Sequence, residues 1–125
     1  MRNYRDLVVR EKAHKLTLAV YKITLLFPKE ERYGLTSQAR RASASIAANL
    51  AEGCGRRSEG EMARYIQIAM GSGAELSYHF LLARDLGLLC SSDYEALSAN
   101  VSEVMRMLSA LSGRLRNTRA AQVLS

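Results

Sequence analysis

Arginines are the side chains of this sequence best placed to act on another molecule. Arg40 and Arg41 stand at one end of a segment of small and polar residues, Arg56 and Arg57 stand at the other, and Arg64 follows shortly after. Guanidinium groups bind phosphate oxygens through paired hydrogen bonds, so these positions suggest recognition of a nucleic-acid backbone rather than bond-making chemistry. A net charge of +6 permits that reading without requiring it. Glu52, Glu59 and Glu61 share the neighbourhood and supply the competing reading, in which the arginines are neutralised by salt bridges within or between subunits. The structural reading is favoured, because Tyr65 is the only aromatic nearby on which a base could stack.

Other reactive patterns are missing. The sequence has no Gly-rich phosphate loop, no HExxH and no nucleophile elbow. Cys54 and Cys90 are far apart with no CxxC pair, and no Glu-x-x-His repeat suggests a di-metal site between helices. His14 and His79 read as satisfied structural histidines. The expectation is therefore no catalytic residue, no cofactor and no metal. The charged first residues, MRNYRDLVVREKAHK, contain no signal peptide or membrane span, which points to a cytoplasmic protein with no membrane partner.

The elements that must position these residues are helical. A chain of 125 residues with 48% hydrophobic residues and one proline can bury a core as a single domain, 1–125, of long elements with few turns. Val9, Ala13, Leu16, Val20, Ile23 and Phe27 recur at helical spacing, and Phe27-Pro28 ends that run, giving a first helix over about 5–27. The second, about 36–53, takes Thr36 as its N-cap and Gly53 and Gly55 as stop signals, with Ala39, Ala42, Ile46, Leu50 and Gly53 facing the core. Ser58 with Glu61 forms a capping box for a third helix over about 59–86, whose core line is Met62, Ile66, Ala69, Gly73, Leu76 and Phe80. Gly71 and Gly73 inside it each cost about 1 kcal/mol relative to Ala, which close backbone packing would offset. Ser92 and Glu95 form a second capping box, opening a helix over about 93–116 with the core line Tyr94 to Leu115, and the tail 117–125 is expected to fray. Four such helices with short connections predict an all-α, antiparallel up-and-down four-helix bundle with left-handed crossings.

Two features exceed what a monomeric bundle needs. Helices one and three carry a second apolar line, Leu7, Leu18, Tyr21 and Leu25 on one and Ile68, Tyr78 and Leu82 on the other. Helix two has a small-residue back that includes Ala44, Ala48 and Ala51. These faces predict a homo-oligomer, with helix four, polar along its back, facing solvent. Gln38, Arg41, Ser45, Asn49 and Glu52 form a polar line beside the helix-two core stripe, readable as a solvated flank or as a network that sets helix register or joins subunits.

The run LTSQARRASASIAANLAEGCGR, followed by IAMGSGAEL, resembles the signature of the bacterial four-helix bundle proteins related to the protein encoded in 23S ribosomal RNA intervening sequences. The accessory variability determinant of diversity-generating retroelements is a more distant relative. The resemblance extends from the FPKEERYGL turn through LGLL, with Leu50 standing where Ile is common. It implies an up-and-down bundle, assembly into a ring-like pentamer and no known catalytic activity. The retroelement relatives act with a reverse transcriptase and bind nucleic acid through a basic surface. Carried onto this chain, the motif positions are Gln38, Arg40, Arg41, Ser45, Asn49, Glu52, Gly53 and Arg56, with Gly71, Ser72 and Glu75 from helix three. The leading expectation is a non-enzymatic, self-assembling scaffold or binding module. Its alternative is a nucleic-acid-binding accessory factor that uses the arginine clusters.

Overall fold

Helices account for almost all of the chain. The structure, a computed structural model, describes residues 4–124; residues 1–3 and Ser125, included in the expected domain, lie outside the described residues. Four α-helices follow one another: α1 (Tyr4–Thr24), α2 (Leu35–Cys54), α3 (Glu59–Asp85) and α4 (Ser91–Leu124). A single 3-10 turn, Lys29–Glu31, lies between α1 and α2, and no strand occurs among the described residues.

The helix ends depart from expectation in instructive ways. Instead of reaching Phe27, α1 stops at Thr24, and the N–H groups of Leu25, Leu26 and Phe27 bond to carbonyls three residues back. Pro28 bars Phe27 from the helical region, so the chain tightens as it leaves α1. Thr36 is not the N-cap of α2. Gly34 occupies that position without a side-chain bond, and the orphan N–H of Leu35 is taken by Glu31 Oε1 at 3.0 Å, from the preceding 3-10 turn. Gly53 is no stop signal either: it lies inside α2, buried against α3, and Gly55 ends the helix in a right-handed conformation. At α3, Ser58 Oγ accepts the Glu61 N–H at 3.0 Å as the capping box requires. Its other end closes on Gly87, whose φ of 76° lets Leu88 N–H reach the Ala83 carbonyl at 2.9 Å and Gly87 N–H reach Arg84 O at 3.0 Å. Helix α4 begins at Ser91, so Ser92 lies in its first turn and pairs with Cys90 Sγ at 3.3 Å. The expected frayed tail is helical through Leu124: no proline or glycine follows Gly113, and Thr118 Oγ1 donates to the Arg114 carbonyl at 3.0 Å.

Each helix packs on two others in the cyclic order α1, α2, α3, α4, and the backbones of the diagonal pairs stay apart. Every seam runs antiparallel. Thr17 Oγ1 donates to the Ser43 carbonyl while Leu7 lines a groove with Ala51; Ser45 meets Ser72; Gln67 meets Ser112; Lys12 meets Glu103. The expected core lines are buried almost throughout. At the end of α1, however, Thr24 is buried while Ile23 and Phe27 are half-buried, and at the start of α4 Tyr94 is half-buried. The apolar pattern of the sequence gives no sign of Asp6 in the interior. It is nevertheless 1% exposed on the α1 core stripe, with Arg114 Nη2 3.9 Å from its Oδ1.

The glycines of α2 and α3 divide by their surroundings. A Cβ on Gly53 would lie 2.9 Å from Tyr65 Cβ and 3.4 Å from the Met62 carbonyl oxygen, and one on Gly73 would collide with the Met105 thioether. A Cβ on Gly71 would have nothing within 4 Å, so the close packing expected there is absent among the described residues. Gly53→Ala should therefore cost about 1–3 kcal/mol through overpacking, whereas Gly71→Ala in dilute, unassembled protein should gain about 1 kcal/mol through helix propensity. Urea unfolding of the two variants measures both, and equal shifts would contradict the assignment.

Candidate functional site

Most of the polar motif residues converge on the α2–α3 seam. Because the two helices approach closely at Gly53, the flanks beside their core stripes face each other, and side chains three and four apart interlock as a ladder. At one end, Arg41 Nη2 donates to Gln38 Oε1 at 2.7 Å and to both Glu75 oxygens at 3.1 and 3.2 Å. In the middle, the Ser45 and Ser72 hydroxyls are 2.8 Å apart, and Asn49 Nδ2 donates to the Ser45 carbonyl at 2.8 Å. At the far end, Arg56 Nη2 donates to Glu52 Oε2 and to the Tyr65 hydroxyl, both at 2.9 Å, with the guanidinium over the tyrosine ring. The ladder is neither a buried core nor a freely solvated flank. Ser45 and Asn49 are half-buried, while Gln38, Arg41, Glu52 and Arg56 are exposed.

The five arginines do not form one cluster. The Arg40/Arg41 and Arg56/Arg57 pairs sit at opposite ends of α2, about 20 Å apart along the helix. Arg40 turns away from the ladder towards α1: its Nε donates to Thr24 Oγ1 at 2.9 Å, its Nη2 reaches the Tyr21 carbonyl at 3.4 Å, and its guanidinium lies 4.7 Å from the Tyr21 ring centre. A cation there suits the negative end of the α1 dipole, where the Tyr21 carbonyl also accepts from Thr24 Oγ1 at 3.2 Å. Thr24 continues the α1 core stripe at helical spacing, which is the signal in the sequence for its burial. Its pairing with Arg40 requires the α1–α2 register. Arg57 and Arg64 are exposed, and neither forms an ion pair among the described residues.

The histidines differ from each other. His14 is exposed beside a groove of about 360 Å³ between α1 and α2, with Ala47 and Ala51 opposite. His79 is half-buried on α3, and neither ring nitrogen makes a hydrogen bond among the described residues, so it is not the satisfied histidine expected. Its Nε2 lies 3.8 Å from Glu75 Oε2, a carboxylate already engaged by Arg41. Among the described residues no group of three or more His, Cys, Asp and Glu is arranged to hold a metal ion.

Burial pushes the His79 imidazole below its ordinary value of 6.5; Glu75 opposes the shift and Arg41 reinforces it. The folded chain thus resists a proton that the unfolded chain accepts. The stability associated with neutral His79 is complete above 6.5 and is lost as pH falls from there through the depressed folded value. Thermal unfolding between neutral and mildly acidic pH should show this decline, and His79→Leu should flatten it. An unchanged slope in the variant would contradict the assignment.

Comparison with known proteins follows the fold. The structure is similar to the crystal structure of a protein of unknown function from the S23 ribosomal protein family from Bacteroides thetaiotaomicron VPI-5482, with a TM-score of 0.81 and 20% identity, covering 87% of this chain and 98% of that one. At that identity the likeness establishes the fold. Comparison with curated proteins finds no match. The sequence model of one family, the 23S rRNA-intervening sequence proteins, matches residues 5–110, which takes in α2, α3 and most of α4 together with nearly all of α1. The chain therefore belongs to the 23S rRNA-intervening sequence protein family.

Proposed function

We propose that this protein is a non-enzymatic module that assembles with copies of itself and serves as a scaffold or binding platform. The observation that carries the reading is the pair of exposed apolar faces on diagonally opposed helices. Leu18 and Tyr21 of α1, with Leu25 just past its end, are 55%, 44% and 75% exposed, and Ile68 and Tyr78 of α3 are 42% and 58% exposed. Leu7 extends the α1 face, and Ala48 and Ala51 of the adjoining α2 are exposed beside it; Ala44 and Leu82 are half-buried. Leu82 packs against the bundle core, but the core does not include the exposed residues, and an exposed apolar face of this kind suits a partner. Two different patches on diagonal helices suit a head-to-tail contact, and such contacts close into rings when the rotation permits. A ring of five, which the family resemblance implies, is the assembly proposed.

Sedimentation of the purified chain at micromolar concentration tests this, with an assembly larger than a dimer as the expected result and a monomer as the outcome that sinks it. Leu18→Glu and Tyr78→Glu should each give monomers. Because each variant keeps one patch intact, mixing them should restore a dimer and nothing larger. An isologous contact through α1 alone would leave Tyr78→Glu assembled.

A second reading, nucleic-acid binding, is favoured by Arg57 and Arg64, whose side chains are exposed with no acidic partner among the described residues. Arg40, Arg41 and Arg56 are engaged within the chain. The measurement is RNA and DNA binding as a function of salt. Under this reading, replacing Arg57 and Arg64 by Ala flattens the logarithmic salt slope by about two, and an unchanged slope dismisses it.

A further inference from the structure

At the corner where α1 hands over to α2, two adjoining clefts of about 480 and 490 Å³ share Arg32, Tyr33, Thr36 and Arg40 in their walls. Their size is that of small-molecule sites, roughly 300–1,000 Å³. Arg41 and Lys29 complete the basic lining, and among the described residues no carboxylate lines either cleft. Arg41 is committed to Glu75, but Arg32 makes no ion pair among the described residues, and Arg40 uses only Nε and Nη2 on α1. The first turn of α2 adds the backbone N–H groups of Thr36 and Ser37, which have no carbonyl within the helix to reach. Thr36 is the most telling residue. It is 8% exposed, lines both clefts, and its hydroxyl has no partner among the described residues.

Beside these donors stands an aromatic ring that the fold does not use. Tyr33 is 87% exposed on the turn, with the Arg32 guanidinium 5.8 Å from its ring centre and the rest of the ring open. Paired cations, a free hydroxyl and helix N–H groups select a phosphate, while an open aromatic ring selects a planar base.

We propose that this corner binds a nucleotide unit, its phosphate held by Arg32, Arg40 and Thr36 and its base stacked on Tyr33. The site adjoins the α2–α3 ladder at Arg41 and lies within one chain. Tyr21 and Leu25 border both it and the face assigned to self-association, so binding and assembly are read in the same samples.

The test is calorimetric titration of the full chain at low ionic strength with adenosine monophosphate, adenosine, inorganic phosphate and a short single-stranded oligonucleotide, with sedimentation in parallel. Adenosine monophosphate should bind one per chain and more tightly than phosphate or adenosine. Arg32→Ala and Tyr33→Ala should each weaken it about tenfold, and Tyr33→Ala should leave phosphate binding unchanged. Both side chains are exposed, so helicity by circular dichroism should match the parent in each variant. An oligonucleotide that competes with the mononucleotide and binds more tightly identifies the source as a strand; one that binds no better identifies free nucleotide. Absence of binding, binding no tighter than that of phosphate, or affinities unchanged in both variants would overturn the proposal. Weaker nucleotide binding at unchanged assembly separates this site from the self-association reading.

Discussion

The backbone approach of α2 to α3 is the constraint on which the polar architecture depends. At Gly53 a single hydrogen replaces a side chain, and Tyr65 Cβ and the Met62 carbonyl occupy the space released. That contact sets both the separation and the axial register of the two helices. Once it is set, Ser45 falls opposite Ser72 and Arg41 opposite Glu75. A shift of one residue along α3 would rotate its polar flank by about 100° and break the rungs that cross to it, Arg41–Glu75, Ser45–Ser72 and Arg56–Tyr65. The α3–α4 seam follows the same rule, with the Met105 side chain filling the space beside Gly73.

The ladder contributes more to specificity than to stability. Arg41–Glu75 and Arg56–Glu52 are largely solvated, and exposed pairs of this kind contribute on the order of 0–1 kcal/mol each. Hydrophobic burial along four stripes supplies the main driving force, since Val9, Ile46, Leu50, Ile66, Leu76 and Leu108 are almost fully buried. Apolar stripes, however, tolerate sliding by a turn, whereas donors and acceptors paired across the seam at 2.8–3.2 Å do not. The polar line of α2 thus coincides with the part of the molecule where hydrogen bonds cross to α3 and fix the register.

What can be read from the chain by itself follows from what is periodic. Core stripes repeat at helical spacing, so the lines from Met62 to Phe80 and from Leu97 to Leu115 are legible in the sequence, as are the capping role of Ser58 and the polar line on α2. Helix ends are less so. The start of α2 is held by Glu31 rather than by Thr36, because the helix begins one residue before Thr36, at Leu35, and a carboxylate one turn upstream takes that free N–H. Pairings across seams are not legible: Arg40 with Thr24, Asp6 with Arg114 and Arg56 with Tyr65 depend on tertiary register, which no local period encodes. His79 shows the same limit, since the carboxylate nearest to it, Glu75, is shared with Arg41 from another helix.

These pairings also redirect attention among the arginines. Charge clusters are visible in sequence, but availability is not. Arg41 and Arg56 face carboxylates and lose part of the hydrogen-bonding capacity that recognition of an external phosphate would need, whereas Arg40 faces the end of α1 with Nε and Nη2 and keeps Nη1 for the cleft. In the sequence Arg32 stands beside Glu30 and Glu31, where neighbouring charges nearly cancel and nothing marks it as available. In the fold, Glu31 turns to cap α2 while Arg32 turns into a cleft with no acidic lining among the described residues. The same capping bond that starts α2 therefore removes the carboxylate that would otherwise compete for Arg32, and in doing so leaves a cation, a hydroxyl and an aromatic ring open at one corner of the bundle.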